Sequence, residues 1–169
     1  MKKSFLIIGL GRFGISLART LTKEGHSVLG IDNDENVIQK FSYEIDNVMK
    51  LDATDSEVLD SLGIADFEAV DISIGEKYIQ NSILATLLAK EKGAKKIIAK
   101  AGTKVQGKVL SKVGADLVVF PEKDMGERVK NAEGVVKTPP DVNYKFKQED
   151  TLTLIGENKI LKKLHLIEF

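Results

Sequence analysis

Ile7-Ile8-Gly9-Leu10-Gly11-Arg12-Phe13-Gly14 is the stretch that decides the fold. It is a G-x-G-x-x-G string, and three glycines at that spacing mean little by themselves. Context supplies the meaning. The apolar run 5–9 reads as a strand entering the string, and 13–24 reads as an amphipathic helix leaving it. Each glycine then has a separate role. Gly9 permits a tight turn, Gly11 lets the backbone approach a pyrophosphate, and Gly14 lets the helix pack closely on the strand. The helix start offers unpaired amides and a positive dipole end to phosphates. Arg12 and Phe13 stand at that start. The Arg12 guanidinium either reaches phosphate oxygens or is solvated at the surface.

Outward from this string the pattern repeats. Further β-rich runs occupy 28–32, 47–51, 69–74, 96–100 and 117–120, with helical patterns at 35–43, 55–62, 78–92 and 105–113 between them. The strands are near-continuous apolar runs, which suits parallel strands covered on both faces. Six strands and five helices predict an α/β fold, a doubly wound six-stranded parallel sheet of Rossmann-like type. Thr54-Asp55-Ser56-Glu57 reads as a capping box, Asp34 as the cap of the preceding helix, and Gly25, Gly63, Gly93 and Gly114 as left-handed helix ends. In 78–92, the stripe Ile79, Ile83, Leu84, Leu87 and Leu88 is expected to face the sheet, with a subunit interface as the other use for it.

Beyond Pro121 the composition changes. Residues 123–131 read as a short helix, followed by Gly134 and the Pro139-Pro140 break. Runs 144–147 and 151–155 then form an expected hairpin, and Leu161 and Leu164 a closing helical turn. The reading divides the chain into a nucleotide-binding lobe, 1–132, and a short C-terminal hairpin appendage, 133–169. An isolated hairpin is marginal in water, so the tail is expected to pack on something.

Composition narrows the function. Lys+Arg 25 balances Asp+Glu 25 over 169 residues, so the basic excess typical of nucleic-acid binders is missing. Cysteine is absent, which removes disulfide scaffolds, thiolate metal sites and thiol nucleophiles together. No apolar run reaches the roughly 20 residues that cross a bilayer. A cytoplasmic protein that binds no nucleic acid and does not itself span the membrane is expected.

The candidate site follows from the sheet. Asp32 ends the second strand eighteen residues past Gly14, close to the ~20 at which an acid meets the ribose hydroxyls. With Asn33 beside it, this carboxylate favours NAD(H), ADP or ATP and repels a 2′-phosphate. Asp52, Ala53 and Thr54 end the third strand beside the adenine position, where Asp52 either accepts from the exocyclic amine or holds a helix start. Ile74 and Gly75 end the fourth strand across the crevice. Lys100 ends the fifth, positioned for phosphates or for solvent. The acid/base groups of hydride-transfer enzymes are missing from the pattern: His26 and His165 fall away from the expected nicotinamide, and no Tyr-x-x-x-Lys pair occurs. Binding without catalysis is the expectation. A small NAD-dependent oxidoreductase or epimerase, and a free-standing NADH/NAD⁺ redox sensor, are the alternatives.

These residues also resemble a known family. Gly9 to Gly14, Asp32, Asp52-Ala53-Thr54, Ala65-Asp66, Ile98-Ala99-Lys100, Gly114-Ala115-Asp116 and Pro121-Glu122 occur in the order and at the intervals of the regulator of potassium conductance (RCK, or KTN) domain. The likeness is to its Ktr/Trk type and covers 4 to about 129. It departs at Leu51, where the family usually has glycine, and in a C-terminal lobe that looks internally shortened. The resemblance implies a nucleotide-binding gating subunit of a potassium transport system. Such a subunit forms a homodimer or a higher ring on a membrane potassium channel or transporter, at the inner face of the cell membrane. It also implies that Glu122 lies at a dimer interface near phosphates and a divalent cation.

Overall fold

In the computed structural model, which describes residues 2–45 and 47–125, six strands alternate with helices from the first residues onward. They run β1 (Ser4–Ile8), α1 (Arg12–Lys23), β2 (Ser27–Asp32), α2 (Glu35–Phe41), β3 (Asn47–Lys50), α3 (Ser56–Ser61), β4 (Ala69–Ile72), α4 (Ile79–Glu91), β5 (Ile97–Lys100), α5 (Lys104–Lys112) and β6 (Leu117–Val119). All described residues lie in the compact unit Met1–Gly134. Residues 121–125 are helical, as the start of the expected 123–131 helix. The rest of that helix, the hairpin and the closing turn lie outside the described residues. Among the described residues, no helix is long and apolar enough to cross a membrane.

The strands form one parallel sheet in the order β3-β2-β1-β4-β5-β6. Side chains alternate across it. Leu6 and Ile8 of β1 join Ile31, Val70, Ile72, Ile97 and Ala99 in one core, while Ile7 joins Leu10, Ile15, Ala18 and Val28 in the other. A fully buried Leu or Ile contributes about 1.5–3 kcal/mol relative to an exposed one, so β1, buried on both sides, anchors the sheet. The chain order reverses between β1 and β4, which opens a crevice at their carboxyl ends.

Local chemistry explains most boundaries. Asp34 caps α2 by accepting from the Asn36 amide at 2.9 Å, and Thr103 caps α5 by accepting from the Gln106 amide at 3.2 Å. Gly25, Gly63, Gly93 and Gly114 all have positive φ, as expected of left-handed helix ends.

Three expectations need correction. The capping box at Thr54 does not form: Asp55 is the cap and accepts from the Glu57 amide at 2.9 Å. Thr54 instead donates its hydroxyl to Asp52 at 2.7 Å, closing a turn of its own. The apolar stripe of α4 is not the sheet-facing side. Ser82, Ala85, Thr86 and Ala89 are buried there, and their small side chains let the helix approach the strands. Ile79, Leu84 and Leu87 stay 41%, 40% and 39% exposed, with only Ile83 and Leu88 packing partly against the core. Coverage on both faces also fails at the edges: Met49 of β3 and Leu117 of β6 are exposed.

Candidate functional site

The glycine string forms the floor of the crevice. Gly9 has φ +94°, and a Cβ there would meet the Ser73 carbonyl carbon and oxygen at 2.9 Å. A Cβ on Gly14 would stand 2.0 Å from the Gly9 carbonyl oxygen, so helix and loop fit only around a glycine. Gly11 is different in kind. Its backbone is extended, it starts α1, and no atom lies within 4 Å of where its Cβ would be. The fold leaves that space open above the first amides of α1, whose earliest helical hydrogen bond runs from Ile15 to Gly11 at 2.9 Å. Unpaired helix-start amides and the positive end of a helix dipole favour negative charge.

Around this floor lies a cleft of about 610 Å³. It brings together Gly9, Gly11, Arg12, Phe13, Asp32, Asn33, Asp52, Ala53, Thr54, Ile74, Gly75, Lys100 and Glu122. Gly14 lies behind the loop instead. Sequence reasoning missed Ser73, Glu76, Lys77, Tyr78 and Asn81, which complete the far wall. Glu76, Lys77 and Tyr78 come from the short 3₁₀ turn that follows Gly75, and Asn81 from the first turn of α4. The one signal for them was their place just past the end of a central strand.

Asp32 turns both carboxylate oxygens to the backbone. Oδ2 accepts from the Leu10 amide at 2.8 Å and Oδ1 from the Asp34 amide at 3.0 Å. The carboxylate therefore ties the glycine loop to the end of β2, and each oxygen keeps a lone pair for a hydroxyl in the cleft. Asp52 accepts from both the Thr54 hydroxyl and the Thr54 amide, which hold its carboxyl below the usual aspartate value despite some burial. Asp52 does not hold the start of α3, which Asp55 caps; it organises the 52–54 turn that precedes it.

Lys100, with its side chain 15% exposed, donates to Glu122 at 3.1 Å. Burial pushes the Glu122 carboxyl up, but its own backbone hydrogen bond, the Lys100 hydrogen bond and charge, and the Arg12 charge outweigh it and leave the value lowered. Among the described residues no group of three His, Cys, Asp or Glu side chains is placed to hold a metal. His26 lies at the opposite end of the sheet, its ring edge-on to Phe5 at 5.3 Å. His165 is outside the described residues.

The sheet order and the glycine turn define the class: a doubly wound α/β domain with a glycine-rich loop at its switch point. Residues 5–121 match the TrkA-N domain model, and the chain belongs to that family. It is 45% identical over 161 residues to the Ktr system potassium uptake protein C of Bacillus subtilis, covering 95% of this chain and 72% of that one. It is 39% identical over 127 residues to the Ktr system potassium uptake protein A of Vibrio alginolyticus, covering 75% of this chain but 57% of that protein. The fold matches the GsuK channel bound to NAD with a TM-score of 0.68 at 20% identity, covering 76% of this chain and 23% of that one.

Proposed function

We propose that this chain is a regulatory subunit of a potassium-uptake system, and that its cleft takes an adenine nucleotide whose phosphates lie on the 9–14 loop. The observation that carries the reading is Gly11, open to the cleft above a helix start while its two neighbouring glycines are sterically required. The two Ktr relatives supply the transport context, and the fold is shared with a channel that binds NAD. In this reading Asp32 and Asn33 receive the ribose, Asp52 to Thr54 flank the adenine, and Arg12 and Lys100 meet the phosphates.

The Lys100–Glu122 ion pair supplies a route from ligand to regulation. A terminal phosphate competes with Glu122 for the ammonium, so ligands with different phosphate numbers favour different arrangements of this pair. A ligand shifts a conformational equilibrium only through such differential contacts. The membrane transporter, a homo-oligomeric assembly and a cytoplasmic location at the membrane's inner face belong to the same proposal. So does the absence of catalysis.

The test is potassium uptake by cells that lack their own Ktr-type regulatory subunit and carry this chain. Restored uptake that is lost with Arg12→Ala, while that variant still binds adenosine phosphates, is expected. Uptake that this chain leaves unrestored, or that Arg12→Ala restores equally, contradicts the reading.

A further inference from the structure

Within the apolar run of β4 stands an acid that neither the glycine loop nor the fold calls for. Asp71 is 3% exposed, with Ile7 opposite it on β1 and Ile98 on β5. Its Oδ2 accepts the hydroxyl of Ser73, and its Oδ1 has no partner among the described residues. Ser73, 5% exposed, is the link to the cleft. Its amide donates to the Ile8 carbonyl at 2.8 Å, its carbonyl packs against Gly9, and it lines the cleft wall. A buried carboxylate with an unsatisfied oxygen is costly, and it avoids the cost by taking a proton.

We propose that Asp71, acting through Ser73, is a positioning residue of the nucleotide cleft, and that an anionic nucleotide binds together with a proton taken up by the Asp71 carboxyl. The inference rests on the nucleotide reading of the cleft. Ionised, Asp71 puts a negative charge two residues behind the wall that Gly9 leans on, and it fixes the Ser73 hydroxyl away from the cleft. Protonated, it removes the charge and becomes a donor itself, which frees Ser73 to turn towards a bound oxygen. Phosphates on the loop favour the second state, because like charges repel across a poorly solvated site.

The surroundings leave this carboxyl free to respond. Burial raises its pKa to about 7, opposed only by the Ser73 hydrogen bond, and no charged group among the described residues contributes. On α1, the helix covering this face of β1, the charges are Arg12, Arg19 and Lys23. Arg12 lines the cleft, Arg19 pairs with Glu44, and Lys23 sits in the last turn, furthest along α1 from the loop. The ladder neighbours Ile7 and Ile98 carry no charge, and Lys100, two residues beyond Ile98 on the same face of β5, is paired with Glu122.

The probe is ADP-ribose, whose pyrophosphate holds a constant charge between about pH 6 and pH 8.5. Titration calorimetry on the full chain in two buffers of different ionisation enthalpy measures both affinity and proton uptake. Affinity is expected to fall roughly tenfold as pH rises across this range, within the usual span of coupling between two sites. A fractional proton is taken up near neutrality. Asp71→Asn should flatten the profile and abolish the uptake. Ser73→Ala keeps the acid but removes the hydrogen bond that stabilises its ionised form, so the fall should move to higher pH; this variant decides the matter if Asp71→Asn does not fold. Wild-type binding that is independent of pH, or a profile the same in wild type and both variants, overturns the proposal. ADP-ribose binding to none of the proteins at any pH overturns the nucleotide reading itself, and this inference with it.

Discussion

At the residue scale, Gly9 and Gly14 were legible because their roles are steric and local. A Cβ on Gly14 collides with a backbone oxygen whatever the rest of the chain does. Asp32 was legible by its distance from the loop, although its two hydrogen bonds to backbone amides were not. Its carboxylate predicts weaker binding of NADP(H) than of NAD(H), by competition at fixed ionic strength. Equal affinities would mean that a cation offsets the 2′-phosphate. Asp71 escaped the sequence reading because an acid within an apolar run carries no mark of whether it lies in the core or at the surface. Its raised value, about 7 against 3.8, sets a stability trend. The folded state holds a proton that the unfolded chain releases above pH 3.8. The stabilisation is therefore complete below that value, declines as pH rises towards about 7, and is flat above it. The span is on the order of 4 kcal/mol. Urea unfolding at about pH 5 and pH 8 should show wild type losing stability relative to Asp71→Asn at the higher pH; a constant difference would contradict this. Asp52, held below its usual value, works in the opposite direction: its contribution is present above its unfolded value and lost as pH falls through its lowered value. Comparison with Asp71→Asn cancels it.

At the element scale, hydrophobic periodicity located every described strand and α-helix to within two residues, because each strand's apolar run is bounded by glycine, proline or polar residues. It failed where two explanations share one pattern. The α4 stripe of Ile79, Leu84 and Leu87 has helical spacing, yet the sheet accepts the small face of Ser82, Ala85, Thr86 and Ala89. Helix-to-sheet distance decides this, and distance is a tertiary property. Ala85→Leu is expected to destabilise by about 1–3 kcal/mol through overpacking, whereas Leu87→Ser should change unfolding free energy by less than ~1 kcal/mol. The reverse order would restore the sheet-facing stripe. The misplaced capping box has a similar cause: Asp52 engages the Thr54 hydroxyl first. Asp55→Ala should cost about 1 kcal/mol, the usual value of a lost helix cap, in the same unfolding measurement.

At the scale of the whole molecule, the fold and the cleft follow from one topological fact, the reversal of strand order between β1 and β4. Thirteen residues scattered from Gly9 to Glu122 meet there because successive strands end at the same edge. The sequence showed this gathering through the β-α alternation. It did not show the wall built by Glu76 to Asn81, whose shape depends on how the 3₁₀ turn enters α4. The central claim is that this cleft holds an adenine nucleotide on the glycine loop. Calorimetric titration of the full chain with ATP, ADP and NADH tests it most directly, with Gly11→Val as the partner protein. A Cβ at Gly11 meets no atom of the fold within 4 Å, so the substitution probes the ligand's space and should cost about 1 kcal/mol or less as a helix cap. The account predicts saturable binding of at least one of these nucleotides to wild type and none to Gly11→Val with its fold intact. Wild type that binds none of the three, or Gly11→Val that binds as tightly as wild type, would contradict it.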